Sequence, residues 1–256
     1  MQRLESTALL DLGAINPDRY AGHMSDSENA RVRAFRRPER GIQSLCARLS
    51  LKYLVLMQLC GRFCDRFVEL DQSTIDGFPA WLYREISFIS SSQSAAPTLT
   101  WCGAPVQEIH VSLSHHDNCC AATIANHTRV GVDVDSPASK PAAFCRDYFS
   151  DTERAWIAHH AVDVDPILSF SLLWSLKECA LKSADAAQGW SAIRLIRIVS
   201  FPEIDALVAA YSGTGFHYSA SPFHVAMEYQ GDIRGFDCEL AGHRDRIVTV
   251  ARHITS

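Results

Sequence analysis

Cys119-Cys-Ala-Ala-Thr-Ile-Ala125, Asn126-His127-Thr128, Arg129-Val-Gly-Val-Asp-Val-Asp135 is the stretch on which the fold turns. Cys119 to Ala125 reads as a strand, Arg129 to Asp135 as another, and Asn126-His127-Thr128 as a hairpin turn between them. In the second strand apolar and acidic residues alternate with period two, so Asp133 and Asp135 share a face. The adjacent Cys119 and Cys120 fall on opposite faces of the first strand as core residues. Upstream, His110-Val-Ser-Leu-Ser-His-His116 reads as a further strand, with turn chemistry in Asp117-Asn118. This reading puts Ser114, His115 and the two aspartates near adjoining strand ends, and Pro137 and Pro141 close the segment.

Further along, Trp174-Ser-Leu-Lys-Glu-Cys-Ala-Leu-Lys182 has helical spacing, with Glu178 and Lys182 one turn apart on a common face. Two carboxylates from a strand and one from a helix form an all-oxygen set suited to a hard divalent cation such as Mg²⁺. A lysine beside that cation suits a phosphate. Each residue also has a plainer reading. Asp133 and Asp135 can be the exposed face of an edge strand, and Glu178 and Lys182 a surface pair worth about 0.3–0.5 kcal/mol. His115-His116-Asp117 lacks a spaced His or Cys partner, so a turn histidine near an anion fits better than a transition-metal site. Trp174 reads as the core anchor of its helix. Ser150-x-x-Glu153 has capping-box spacing, which explains Glu153 without an active-site role. Cap and active site both stand as readings of it.

Elsewhere, residues 1–25 carry little pattern and form either a loose start or a first short strand. From Ser27 to Cys60 apolar residues recur at helical spacing (Leu45, Leu49, Leu56), with a break near Pro38 and a long helix after it. Ser90 to Ser94 reads as a serine-rich loop and Gly103-Ala104-Pro105 as a turn. Pro166 opens the helix that carries Trp174 to Lys182. Strand-like runs follow at Leu195–Val199, Phe223–Tyr229, Gly235–Ala241 and Ile247–His253. No internal repeat is visible. Mixed helices and strands with antiparallel hairpins indicate an α+β fold, not a wound parallel sheet.

A chain of 256 residues can bury a full core as one large domain or two small ones. Its 47% hydrophobic and 21% charged content is ordinary for a soluble protein, and a net charge of −5 gives no global case for nucleic acid. Arg31, Arg33, Arg36, Arg37, Arg40, Arg48 and Lys52 nevertheless crowd one segment, with Glu39 the only acid among them. Such a cluster serves an anionic ligand or is a solvated helix face. The nine cysteines form no CxxC array and no secretory signal opens the chain, so reduced thiols in the cytoplasm are expected. The longest apolar stretch, Tyr53 to Cys60, is too short to span a bilayer, and no membrane association is expected.

The ordered set Ser114-His115, Gly131-Val-Asp-Val-Asp135, Phe149-Ser-x-x-Glu153 and Trp174-Ser-Leu-Lys-Glu-x-x-x-Lys182 resembles the 4′-phosphopantetheinyl transferases of the Sfp type. The resemblance covers residues 100–185 well. It implies a pseudo-dimer of two similar subdomains, each an antiparallel sheet packed with helices, at 1–127 and 128–256, the second carrying the metal site. It implies Mg²⁺ and coenzyme A, the latter as co-substrate, in a cleft between the subdomains. The phosphopantetheine arm passes to a serine of an acyl or peptidyl carrier protein, and such enzymes act as monomers. Asp133, Asp135 and Glu178 are then the metal ligands, and Glu178 and Lys182 the catalytic residues, with Lys182 facing the α-phosphate. The base for the serine proton is Glu178 or a water on the metal. Ser114 and His115 contact the pyrophosphate and 3′-phosphate, and Lys177 belongs to the same phosphate environment.

Three positions depart from the family pattern. His116 replaces a serine, Asp135 stands where glutamate is common, and Ala104 replaces the lysine of a Gly-Lys-Pro turn. Arg31, Arg36, Arg37 and Arg40 are the candidates to compensate for that lysine, with Arg36 and Arg40 taken as binding coenzyme A. The missing lysine also motivates an alternative, an inactive module of this kind that binds carrier protein or nucleotide. A third reading uses the same metal cleft to hydrolyse another phosphoester.

Overall fold

Pro38 has no amide hydrogen to donate, so it ends one helix and opens the next. In the computed structural model α1 (Asp26–Arg33) stops before it and α2 (Pro38–Leu59) begins on it. The structure describes residues 5–61, 67–89, 98–106, 108–138, 141–161, 165–184, 190–201, 216–218, 223–243 and 246–254. The loop expected at Ser90 to Ser94 lies outside them. The chain divides into two compact units, Met1–Arg129 and Val130–Ser256.

Residues 1–25 do contain a strand, β1 (Glu5–Asp11), and it is central to the first unit. After α2 come β2 (Phe67–Leu70), α3 (Gln72–Ile75), α4 (Ala80–Glu85), β3 (Ile86–Ile89), β4 (Thr98–Trp101), β5 (Ala104–Pro105), β6 (Ile109–His116) and β7 (Cys119–Asn126). One sheet runs β2-β1-β7-β6, and a smaller one β3-β4-β5. All pairings are antiparallel except β1 with β2. Leu45, Leu49 and Leu56 of α2 join Leu10, Val111, Ala122 and Ile124 of the strands in one apolar core. The basic segment splits on folding. Arg33, Arg36, Arg37 and Arg40 are exposed, but Arg48 and Lys52 lie on the buried face of α2.

The second unit holds β8 (Val130–Asp135), α5 (Ala142–Tyr148), α6 (Asp151–His159), α7 (Pro166–Ser183), β9 (Ile196–Ser200), β10 (Phe216–Tyr218), β11 (Phe223–Tyr229), β12 (Asp232–His243) and β13 (Arg246–His253). Its sheet runs β8-β13-β12-β11-β9, with β10 also on β12, and every pairing is antiparallel. The β11–β12 hairpin closes on Gln230-Gly231, both at positive φ, as a two-residue turn requires. The whole is an α+β fold.

Two expectations are corrected. Asn126-His127-Thr128 is not a hairpin turn. Both edges of β7 are taken, by β1 and β6, so β8 finds no partner there and pairs with β13. His127, at φ 59, lies in the connection that passes from one unit to the next. The aspartates therefore do not share a sheet with Ser114 and His115.

The second correction concerns repetition. Each unit contains a Ser-x-x-Glu capping box, Ser25 with Glu28 and Ser150 with Glu153, in which side chain and backbone cap each other. In each, a lysine 24 residues beyond the glutamate reaches back to it: Lys52 Nζ to Glu28 Oε2 at 2.6 Å, Lys177 Nζ to Glu153 Oε2 at 2.8 Å. Each lysine also donates to the backbone carbonyl two residues before the serine, that of His23 or Tyr148. A local device thus recurs at one constant offset, Ser25 to Ser150, Glu28 to Glu153, Lys52 to Lys177. Most intervening residues differ, which hides it from a reading of the sequence.

Candidate functional site

Gly131 explains how a strand aspartate meets a helix glutamate. A Cβ at this position would lie 1.9 Å from the Cys179 carbonyl oxygen of α7, so only glycine lets the helix settle this closely on β8. Glu178, next to Cys179, is thereby brought against Asp133, two residues beyond Gly131. The plainer reading of an exposed strand face does not hold: Asp133 is 3% and Asp135 4% exposed.

Both oxygens of Asp133 are engaged. Oδ1 accepts from Lys182 Nζ at 2.9 Å, and Oδ2 from Ser175 Oγ at 2.9 Å. Lys182 also donates to the Val132 carbonyl at 2.8 Å and stands 3.5 Å from Glu178 Oε2. Asp135 Oδ1 accepts from the Ser136 amide. Glu178 shares a hydrogen bond with Asp133, and its carboxyl is pushed up to about 8, first by burial and then by the charge of Asp133. Burial pushes the Lys182 ammonium down, but Asp133 and Glu178 outweigh it and the net direction is up.

Asp133 and Glu178 thus face a single ammonium, and the charge of Asp135 adds to that of Asp133 in opposing ionisation of Glu178. An all-oxygen, anionic, buried set of this kind fits a hard divalent cation. As placed, no three His, Cys, Asp or Glu among the described residues are spaced to hold a metal ion, and Lys182 bridges Asp133 and Glu178. With its side chain 27% exposed, Lys182 has room to give way.

Lys177, expected in a phosphate environment, is buried in the fold. It is 1% exposed, with its ammonium bonded to Glu153 Oε2 and the Tyr148 carbonyl, and a ligand could reach it only by breaking both. Glu153 is wholly buried; its Oε1 accepts from the Ile198 amide and its Oε2 from the Ser150 amide. Between cap and active site, the geometry makes it a cap and an anchor for β9. Burial pushes the Lys177 ammonium down, and Glu153 opposes this.

In the first unit Arg40 Nη1 lies 2.9 Å from His115 Nε2, bringing together two residues far apart in sequence. The guanidinium can only donate, so Nε2 is the acceptor in this contact. Arg40 also donates to Gln43 Oε1, and Gln43 Nε2 to the Asp117 carbonyl, tying the start of α2 to the β6–β7 turn. Asp117 takes φ 47 there. Ser114 is buried on β6, whereas Arg36 is exposed in the connection between α1 and α2. His116 pairs with Asp117 at 3.3 Å.

Ser175 and Gly131 were not singled out for roles in the sequence. The signals were there: Ser175 lies three positions before Glu178, on the same helix face, and an isolated glycine in an alternating strand marks close backbone approach.

Residues 129–241 match the family model of the 4′-phosphopantetheinyl transferase superfamily. Among solved structures, the chain is similar to the Thermotoga maritima holo-[acyl-carrier-protein] synthase at 16% identity and a TM-score of 0.32, covering 58% of this chain and 76% of that one. No curated protein matches. Among the described residues, no helix is long and apolar enough to cross a membrane.

Proposed function

We propose that this chain transfers the 4′-phosphopantetheine arm of coenzyme A to a serine hydroxyl of an acyl or peptidyl carrier protein, in the manner of the Sfp type. The observation that carries this reading is that Asp133, Asp135 and Glu178, on β8 and α7, are all buried inside the stretch matched to the superfamily. On this reading the three carboxylates hold Mg²⁺. When bound, that ion supplies charge neutralisation on the leaving 3′,5′-ADP.

The chain's own residues do the rest. Ser175 and Lys182 orient the Asp133 carboxylate. Lys182, partly exposed, exchanges Asp133 for the α-phosphate of coenzyme A. Glu178, or a water on the metal, takes the proton of the carrier serine. Ser114, His115, Arg40 and Arg36 receive the pyrophosphate and 3′-phosphate, with Arg40 in place of the lysine absent at position 104.

The recurrent capping boxes and buried ion pairs support reading the two units as repeats of one another, a pseudo-dimer that works as a monomer in the cytoplasm. At the offset of the repeat, Ala8, Leu10, Tyr53 and Met57 stand where Asp133, Asp135, Glu178 and Lys182 do. The first unit thus keeps the scaffold without the carboxylates.

Mass spectrometry of an apo carrier protein incubated with this chain, coenzyme A and Mg²⁺ tests the reading. It expects one phosphopantetheine added on a serine, lost in Asp133→Ala. No adduct on any acyl or peptidyl carrier, alongside intact binding of carrier, points to the inactive module. Breakdown of coenzyme A without a carrier points to the hydrolase.

A further inference from the structure

A serine buried in the middle of a helix ordinarily satisfies its hydroxyl on the carbonyl four residues back. Ser50 of α2 does this, donating to the Cys46 carbonyl at 3.0 Å. Ser175 of α7 is equally buried, at 0% exposure, and holds the same place in its unit, two residues before the lysine of the buried ion pair. It does not bond back to Ser171. Its hydroxyl crosses to β8 and donates to Asp133 Oδ2 at 2.9 Å.

The two serines form an internal control. They share a scaffold and differ in what stands on the facing strand, Ala8 at the offset of the repeat in one unit and Asp133 in the other. The hydroxyl leaves its own helix only in the unit that has a carboxylate. We infer that Ser175 is a positioning residue, which holds Oδ2 of Asp133 so that Oδ1 is presented to the cation that faces it. That cation is the Lys182 ammonium in this structure, and Mg²⁺ on the proposed function, on which this inference rests. The terminal torsion of an aspartate is broad, so a carboxylate without this anchor samples orientations that turn Oδ1 away. A bond held to the ligand's second oxygen fixes it before the metal arrives.

The test is Mn²⁺ titration of the full chain by calorimetry and by electron paramagnetic resonance, with thermal unfolding measured alongside. Ser175→Ala is expected to weaken Mn²⁺ binding about 10–100-fold, the usual cost of losing such an outer partner. Ser50→Ala is expected to leave it unchanged, and Ser175→Thr, which keeps the hydroxyl, to retain most of it. Wild-type affinity in Ser175→Ala overturns the inference while leaving the proposed function standing, as does an equal loss in Ser175→Ala and Ser50→Ala. Should Ser175→Ala fail to fold, Ser175→Thr decides: weak Mn²⁺ binding in a folded Thr variant overturns the inference. A wild-type chain that binds no Mn²⁺ overturns it together with the metal assignment.

Discussion

Lys177 Nζ lies 2.8 Å from Glu153 Oε2 with neither side chain reached by solvent, and Lys52 repeats the contact with Glu28 in the first unit. A charge pair that recurs where no carboxylate cluster exists serves the fold. It joins the N-terminus of a short helix to the middle of a long one in both units.

Removing one partner leaves the other charge buried and alone. Lys177→Met is therefore expected to cost about 3–5 kcal/mol of unfolding free energy. Lys177→Met combined with Glu153→Gln leaves no charge behind and is expected to recover part of the loss; the single glutamine oxygen can replace only one of the two carboxylate oxygens that accept from the Ser150 and Ile198 amides. Urea unfolding checks this. Coenzyme A affinity in the folded double variant is expected to match wild type, and a large loss there would return Lys177 to the phosphate site.

Gly131→Ala places a methyl group against backbone, not against a side chain that can move. The helix must withdraw, at a cost near or above the ~3 kcal/mol upper end of ordinary overpacking. Glu178 moves off Asp133 with it. Denaturation together with Mg²⁺ titration should show stability and metal affinity falling together; an alanine variant of wild-type stability would refute the close approach.

Mg²⁺ that binds only the folded chain stabilises it by about 2.7 kcal/mol at a hundredfold excess over its dissociation constant. Thermal melts with and without Mg²⁺ are expected to differ accordingly in wild type and to coincide in Asp133→Asn. Lys182→Ala removes the ammonium that competes for the same carboxylates, so its Mg²⁺ affinity is expected to rise while transfer falls. A parallel fall in both would mean that Lys182 helps the metal bind.

Arg40→Ala takes one cation from the His115 side of the first unit. A charge-assisted hydrogen bond is worth about 1.5–3 kcal/mol, so coenzyme A affinity is expected to fall about 10–100-fold. Binding of dephospho-coenzyme A should change little. Equal losses for both ligands would remove Arg40 from 3′-phosphate recognition.

The legibility of the site followed the range of the interactions. The period-two aspartates and the helical Glu178–Lys182 pair could be read directly, because both depend on residues a turn or a pleat apart. The hairpin expected at Asn126-His127-Thr128 does not form for a related reason. Turn chemistry is local, but whether a strand edge is free depends on β1, far away in the chain. The resemblance places Lys177 among the phosphates, whereas adjacent helix positions point in different directions, and the Lys177 ammonium is bonded to Glu153 and the Tyr148 carbonyl.

By itself the sequence determined the elements and their chemistry: strand and helix carrying three carboxylates, the capping box at Ser150, a helix opened by Pro38 and another by Pro166. These rest on backbone propensity and side-chain period, which act within a few residues. The tertiary structure decided which strand β8 joins, that Lys182 sits among the carboxylates, that Arg40 meets His115, and that Ser175 turns to Asp133 whereas Ser50 turns to its own helix. Those choices depend on which buried polar group lies opposite, and a buried hydroxyl or ammonium takes whatever partner packing supplies. Packing is a property of the folded chain.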